Sequence, residues 1–351
     1  MTKRKCVLVG CGFFSAYHLT AWQRLANRVE LVALCDLDRA RAQALADRFG
    51  IQAVHTDLDQ LLATQRIDFV DIATSPASHR AIVDICARHG VPAIVQKPIA
   101  TSWDDANAMV ETMDRAGVPL MVHENFRFQS AVKHAGDLVR DGAIGEPTFA
   151  RFTFRTGYDI YAGQPYLAQL ERFVLLDLGI HVLDVARFFL GEVASVYCQT
   201  QSIRPGLAGE DTATVLLRHV SGAVSIVDRS YQGHHQPDVF PQMLVEIEGR
   251  DAALRVNTNY LVVVTDRTGR QKTSVVAPEG FGPTSDRWLP TQDSVVSIQR
   301  HWLDCLDHNR VPATSGADNL KTLALVEAAY ASAAANSPVV PSAPTASMVQ
   351  S

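Results

Sequence analysis

Cys6-Val7-Leu8-Val9-Gly10-Cys11-Gly12-Phe13-Phe14-Ser15 reads as a short apolar strand running into a GxGxxS turn, with a helix over 14–25 behind it. The first glycine of such a turn permits the tight reversal, and the second lets the backbone approach a pyrophosphate at the positive helix N-terminus. The third position needs a small residue for close helix–strand packing, and Ser15 is small enough. A second strand over 31–35 ends at Asp36, where a carboxylate accepts hydrogen bonds from both ribose hydroxyls and repels a 2′-phosphate. NAD is therefore expected over NADP, although Arg39 lies close enough to soften that preference. The competing reading is a similar fold with another ligand, or Asp36 as a simple turn residue. Strand, glycine turn and acid all agree on the dinucleotide.

Outward from the loop, short apolar runs alternate with helical patterns: helix 39–49, strand 69–73, helix 77–88, strand 93–96, helix 102–116 and strand 119–122. That alternation predicts βαβ units and a parallel sheet. After a helix around 130–140 the pattern changes. Segments 148–155, 196–202, 213–219, 223–229, 244–248 and 260–265 resemble antiparallel strands, with Ser221-Gly222 as a hairpin turn. A helix over 173–190 is inserted among them, and helices over 294–307 and 319–335 close the chain. The expected fold class is α/β: a Rossmann dinucleotide-binding domain over 1–122, then an α/β domain over 123–340 with a large open, mostly antiparallel sheet. A late helix can pack back on the first domain, and 341–351 is expected to be a flexible tail.

At 351 residues, two domains are the natural expectation, and 47% hydrophobic with 20% charged residues describes ordinary globular material. A net charge of −5 offers no basic field for nucleic acid or an anionic membrane. Cys6, Cys11, Cys35, Cys86, Cys198 and Cys305 form no CxxC pair, which favours buried thiols in a reducing compartment over disulfides or zinc. The basic start and apolar run superficially resemble a signal peptide, but Gly10 and Gly12 break the run and no small-residue cleavage site follows. A cytoplasmic protein is expected, with no membrane partner. His234-His235 suggests a loop rather than a metal site, because a contiguous pair lacks ligand geometry; no metal is expected.

Asp177 and His181 stand four residues apart in Asp177-Leu178-Gly179-Ile180-His181, so on a helix both leave one face. A carboxylate can orient an imidazole and raise its basicity, which makes a proton-transfer pair. Alone, the pair also fits a buried structural histidine or half a metal site. Lys97, in Ile94-Val95-Gln96-Lys97-Pro98, lies just past the carboxyl end of a strand, where open α/β sheets bind ligands. It could donate to a substrate oxygen, although alone it reads better as a solvated surface lysine.

These pieces resemble the Gfo/Idh/MocA oxidoreductases, the family of inositol and glucose–fructose type dehydrogenases. The shared features are the GxG loop, Ala73-Thr74-Ser75-Pro76 with His79, Gln96-Lys97-Pro98, and Glu124-Asn125-Phe126-Arg127-Phe128. Asp177-x-Gly179-x-His181-x-x-Asp184 and Ala328-Ala329-Tyr330-x-Ser332-Ala333 continue the match to the end of the second domain. The resemblance implies a catalytic trio of Lys97, Asp177 and His181, with His181 as proton acceptor. It implies cofactor contacts from Gly10, Gly12, Phe13, Phe14, Asp36, Ser75, His79, Gln96, Lys97 and Asn125. Substrate contacts are implied for Lys97, Arg127, Tyr158, Asp177 and His181, and a homodimer or homotetramer through the open sheet. Gln96 departs from the family's glutamate, and Phe173-Val174-Leu175-Leu176 from its glycine-rich run.

More narrowly, Gly12-Phe13-Phe14, Val95-Gln96-Lys97-Pro98, His123–Phe128 and Arg155-Thr156-Gly157-Tyr158-Asp159 are similar to the branch that oxidises the branched pentose D-apiose to apionolactone. Arg155, Tyr158, Asp159, Tyr161, Tyr166 and Arg172 would supply the polar and flat apolar surfaces a sugar needs, with an ordinary exposed connection as the alternative. Arg127 reads equally as a polyol ligand or as a structural tie between domains, Asp184 as a structural partner, and His123 as a pocket residue or a satisfied strand-end histidine. The expected activity is NAD-dependent dehydrogenation of a sugar or polyol hydroxyl, with a small sugar as partner. Oxidation of an inositol or glycoside ring carbon, NAD-requiring glycoside hydrolysis and a non-catalytic dinucleotide sensor remain open.

Overall fold

The computed structural model describes residues 3–280 and 286–342; nearly all of the tail expected at 341–351 lies outside them. The chain divides into two compact units, one holding the residues up to Asn125 with Val295–Leu320, the other Phe126–Ser294 with Lys321 onward. The boundary placed at 122/123 thus becomes a division at Asn125/Phe126 with a later segment returning to the first unit.

In the first unit β1 (Arg4–Val9), α1 (Ser15–Arg24), β2 (Val29–Cys35), α2 (Arg39–Phe49), β3 (Ala53–His55), α3 (Leu58–Thr64), β4 (Phe69–Ile72), α4 (Pro76–Arg88), β5 (Ala93–Gln96), α5 (Trp103–Ala116) and β6 (Leu120–His123) follow in order. The strands form one parallel sheet, β3-β2-β1-β4-β5-β6. β4, β5 and β6 are buried throughout, which explains their apolar runs, interrupted by Asp71 and ended by Gln96 and His123. Helix ends are written in the sequence: Asp38 caps α2 by accepting from the N–H groups of Ala40 and Arg41, and α2 and α5 stop at left-handed Gly50 and Gly117. The sheet order turns back between β1 and β4, so the crevice at their carboxyl ends is the ligand position of such folds. The segment Val295–Leu320 belongs here because its side chains are needed here. Trp302 packs edge-on to Phe69, Arg28 pairs with Asp304 and Asp307, and Thr314 Oγ1 donates to the carbonyl of Val122.

The second unit contains α6 (Ser130–Arg140), β7 (Pro147–Arg155), the short turn α7 (Ile160–Gly163), α8 (Ile180–Leu190), β8 (Val193–Gln201), β9 (Thr212–His219), β10 (Val224–Ser230), β11 (Leu244–Gly249), β12 (Ala252–Asn257), β13 (Leu261–Asp266) and β14 (Gln271–Val275). α9 (Leu289–His308) crosses into the first unit, and α10 (Gly316–Ala335) crosses back. The strands form an eight-stranded sheet, β14-β13-β12-β11-β7-β10-β9-β8, antiparallel except for the central β7–β10 pair. α6 and α8 cover one face. The other face stays open: along β9, Ala213, Val215 and Leu217 are buried, while Thr214, Leu216 and Arg218 are exposed.

The helix expected over 173–190 is not uniform. Leu175–Gly179 is a π-helical turn, wider than the α8 turns that follow it. The buried Glu210 carboxylate holds the start of this turn, accepting from the N–H groups of Phe173 (3.3 Å) and Leu175 (2.9 Å).

Candidate active site

The glycine loop lies in the crevice after β1. Gly10 has φ +94°, and a Cβ there would lie 2.6 Å from Thr74 and 2.8 Å from the Ala73 backbone. Only glycine fits. Ser15 Oγ donates back to the Gly10 carbonyl at 2.7 Å, which binds the small third position to the first. Cys11 N–H donates to Asp36 Oδ2 at 2.7 Å and Asp38 N–H to Oδ1 at 2.8 Å, so the carboxylate is fixed against the loop with lone pairs left over. A Cβ on Gly12 would meet no protein atom within 4 Å. An open glycine at the start of α1 beside a fixed acid fits NAD, with Gly10, Gly12 and Asp36 as its holders. Phe13 is 56% exposed at the loop tip, Phe14 stacks on Tyr17, and Ser75 is exposed before the first turn of α4.

His79 requires a correction. Its ring is fully buried, with Nδ1 2.9 Å from the Ile99 carbonyl and Nε2 3.1 Å from the Thr74 carbonyl, to one of which a neutral ring donates. Burial lowers its pKa, against the pull of those carbonyls, and favours the neutral ring. The side chain therefore shapes the loop after β4 instead of contacting a cofactor. Lys97 follows β5, partly buried, with a cis bond to Pro98, and Asn125 is buried past the end of β6.

In the second unit, the expected proton-transfer pair sits where the π turn meets α8. His181 is buried and its ring lies flat on Phe126, with centroids 4.0 Å apart and planes within 2°. Asp177 accepts a hydrogen bond from the hydroxyl of Tyr231, whose pKa burial and that carboxylate both push well up. Tyr231 is a residue the sequence reading passed over. It lies just beyond β10, with no motif to mark it. Gly179 is required by a buried cation, since a Cβ there would lie 2.7 Å from the guanidinium carbon of Arg229. Arg229 is fully buried and its three guanidinium nitrogens have no hydrogen-bond partner among the described residues. Burial pulls its pKa down to about 10, opposed by Cys198, Tyr330, Glu210 and Asp228, so it stays charged near neutral pH.

An aromatic wall extends from His181 and Phe126 through Phe154 and Phe240 to Tyr158, which stacks on Phe240 at 4.3 Å. Arg127 Nε and Nη2 both donate to the buried Asp184 carboxylate, which also accepts from Thr322. All three residues lie in the second unit, so these bonds tie segments of that unit together. In the polar–aromatic stretch, Arg155 pairs with Asp228, Asp159 with Arg204, and Arg172 with Glu327, so for these charges the plain surface reading holds. All six cysteines are buried and free. Among the described residues no cluster of His, Cys, Asp and Glu could hold a metal, and no helix is long and apolar enough to cross a membrane.

Residues 4–124 match the model of the oxidoreductase family with an NAD-binding Rossmann fold, and residues 132–255 match the GFO/IDH/MocA C-terminal domain. A protein of Paraburkholderia graminis named D-apiose dehydrogenase is 49% identical over 329 residues, covering 94% of this chain and 87% of its own. The chain belongs to the Gfo/Idh/MocA family. It is an NAD-binding oxidoreductase. A D-apiose dehydrogenase of Rhizobium rhizogenes is 47% identical, covering 95% of this chain and 96% of its own. Among solved structures, an oxidoreductase from Agrobacterium radiobacter in complex with NAD+, L-tartaric acid and magnesium superposes with a TM-score of 0.93 at 47% identity, covering 97% and 98% of the two chains. The expected fold class and cofactor class hold with that membership.

Proposed function

We propose that this protein oxidises an aldose at its anomeric carbon, with D-apiose going to apionolactone as the leading substrate. The observation that carries the reading is the Asp177–His181 pair on its π turn: a buried imidazole held flat by Phe126, preceded by a carboxylate anchored by Tyr231. In the reaction the anomeric O–H gives its proton to His181 and the C–H leaves as hydride. Asp177 orients the imidazole and balances its gained charge, and Lys97 polarises the substrate oxygen. Bound at the glycine loop, NAD supplies the hydride acceptor. The names of the two relatives at 49% and 47% identity favour the branched pentose.

The remaining cofactor contacts proposed are Phe13, Phe14, Ser75, Gln96, Lys97 and Asn125, with Tyr158 against the sugar. A homodimer or homotetramer through the open sheet face fits the partly exposed Phe149, Leu216, Ile226 and Leu244 on that side, and six free thiols fit a cytoplasmic setting.

The test is NADH absorbance from purified protein with NAD and a panel of aldoses and inositols, with D-apiose expected to give the largest kcat/KM. NAD binding without turnover on any polyol would point to a sensor, and aryl-glycoside cleavage without net NADH to a glycosidase. His181→Ala should lower kcat by about 10²- to 10⁴-fold and leave the Kd for NAD within about twofold. Intact turnover would remove His181 as the proton acceptor.

A further inference from the structure

His18, Trp22, Asp71 and Gln96 form a polar cluster inside the first unit. His18 and Asp71 are fully buried, and Gln96 is 8% exposed. Buried polar groups are costly unless donors meet acceptors, and here the hydrogens can be assigned from groups that can only donate. Trp22 Nε1 donates to Asp71 Oδ2 at 2.6 Å. His18 Nδ1 lies 3.0 and 2.8 Å from the two Asp71 oxygens, so this nitrogen carries a hydrogen. At the other end, the backbone N–H of Lys97 donates to Gln96 Oε1 at 2.7 Å. That fixes the carboxamide, so Gln96 Nε2 faces His18 Nε2 at 3.0 Å and donates to it. His18 Nε2 is then an acceptor, and the ring is neutral with its hydrogen on Nδ1.

We propose that Asp71, His18 and Gln96 form a one-way hydrogen-bond chain that positions Lys97, and that the uncharged carboxamide at Gln96 is what keeps His18 neutral. The proposal rests on the reading of Lys97 as donor to the substrate oxygen. Gln96 ends β5 and grips the amide of the next residue, so its pose sets the direction in which the backbone of Lys97 leaves the strand. Asp71 and His18 are positioning residues, and Gln96 positions Lys97 in addition to its proposed cofactor contact.

The groups around the imidazole are known on each side. Asp71 comes from β4, Gln96 from β5 and His123 from β6, its ring 4.3 Å from that of His18; Phe14 and Trp22 flank it along the chain. From α9, Gln299 reaches only the His18 carbonyl, at 3.4 Å. Cys6 of β1 lies near Asp71, and its thiol is pushed well up by burial and by that carboxylate, so it adds no charge. A glutamate at position 96 could still accept from Lys97 N–H, but its second oxygen would face the His18 lone pair. The contact is mended only by a second proton on His18, between two carboxylates. As pH rises and that proton leaves, two acceptors oppose each other and the grip on Lys97 loosens.

The experiment compares the wild type, Gln96→Glu and Gln96→Met as full-length enzymes with NAD and the oxidised sugar. The ratio of kcat/KM for Gln96→Glu to wild type should be within about threefold at pH 6 and fall by up to tenfold per pH unit at higher pH. Gln96→Met, which removes both hydrogen bonds, should lower kcat at saturating NAD about tenfold at every pH. Nitrogen-15 spectra of histidine-labelled wild type should show His18 as a neutral ring protonated on Nδ1, and Gln96→Glu should convert that signal to an imidazolium. A constant ratio across pH, or a doubly protonated His18 in the wild type, would overturn the proposal. If Gln96→Glu does not fold, the wild-type spectrum and the Gln96→Met kcat decide it, and wild-type kcat in Gln96→Met overturns it. Full turnover in Lys97→Met would instead overturn the role of Lys97, an outcome the His18 spectra distinguish.

Discussion

The glycine loop after β1 and the π turn before α8 both depend on bare backbone, for different reasons. Gly10 and Gly179 are dictated from inside, by the Ala73 backbone and by the guanidinium of Arg229. Gly12 is dictated by nothing in the protein, since a Cβ there points into open space. A glycine demanded by the fold and one demanded by a ligand look the same in sequence, and substitution separates them. Gly10→Ala meets both a backbone clash and φ +94°, so it should cost about 3 kcal/mol in denaturant unfolding. Gly179→Ala meets a flexible side chain, but one that is itself fully buried. It should cost about 2 kcal/mol and also lower turnover, because Asp177 rides on the same turn. Wild-type stability in Gly179→Ala would show that Arg229 can move, and would break the parallel with Gly10.

Legibility follows the same divide. The Rossmann half was readable because β1, β4, β5 and β6 carry short apolar runs and α2 and α5 carry their own caps and closing glycines, all local signals. β3 was missed because three half-buried residues at a sheet edge make no pattern, and β14, Gln-Lys-Thr-Ser-Val, because an edge strand built of polar residues reads as loop. The trio Lys97, Asp177 and His181 stood out by motif. The π turn did not, since it depends on Glu210 and Arg229 from distant segments. The surroundings of His79 and Arg127 were hidden for a related reason: the carbonyls of Ile99 and Thr74 and the carboxylate of Asp184 are brought to them by folding.

Tyr231 tests the internal side of the comparison at the chemistry itself. Its buried hydroxyl donates to Asp177, and hydrogen bonds to a charged group are worth about 1.5–3 kcal/mol. Tyr231→Phe keeps the ring that stacks on Phe173 at 5.6 Å, so the loss in folding stability should be about 1.5 kcal/mol, the low end of that range. On the proposed roles, kcat should fall about tenfold, with KM for the sugar little affected because Asp177 works on the imidazole. A rise in KM with unchanged kcat would make Tyr231 part of sugar binding instead.

Gly12→Ala is the mildest change and the sharpest one. Its φ is not in the left-handed region and its Cβ would touch no protein atom, so stability should stay within about 0.5 kcal/mol of wild type. The added methyl occupies the space through which a pyrophosphate would approach the start of α1, so the Kd for NAD should rise about three- to tenfold. Because kcat at saturating NAD depends on groups elsewhere, it should be nearly unchanged. If stability fell while NAD affinity held, Gly12 would belong with Gly10 as an element of the fold, and the open space beside it would have no part in binding.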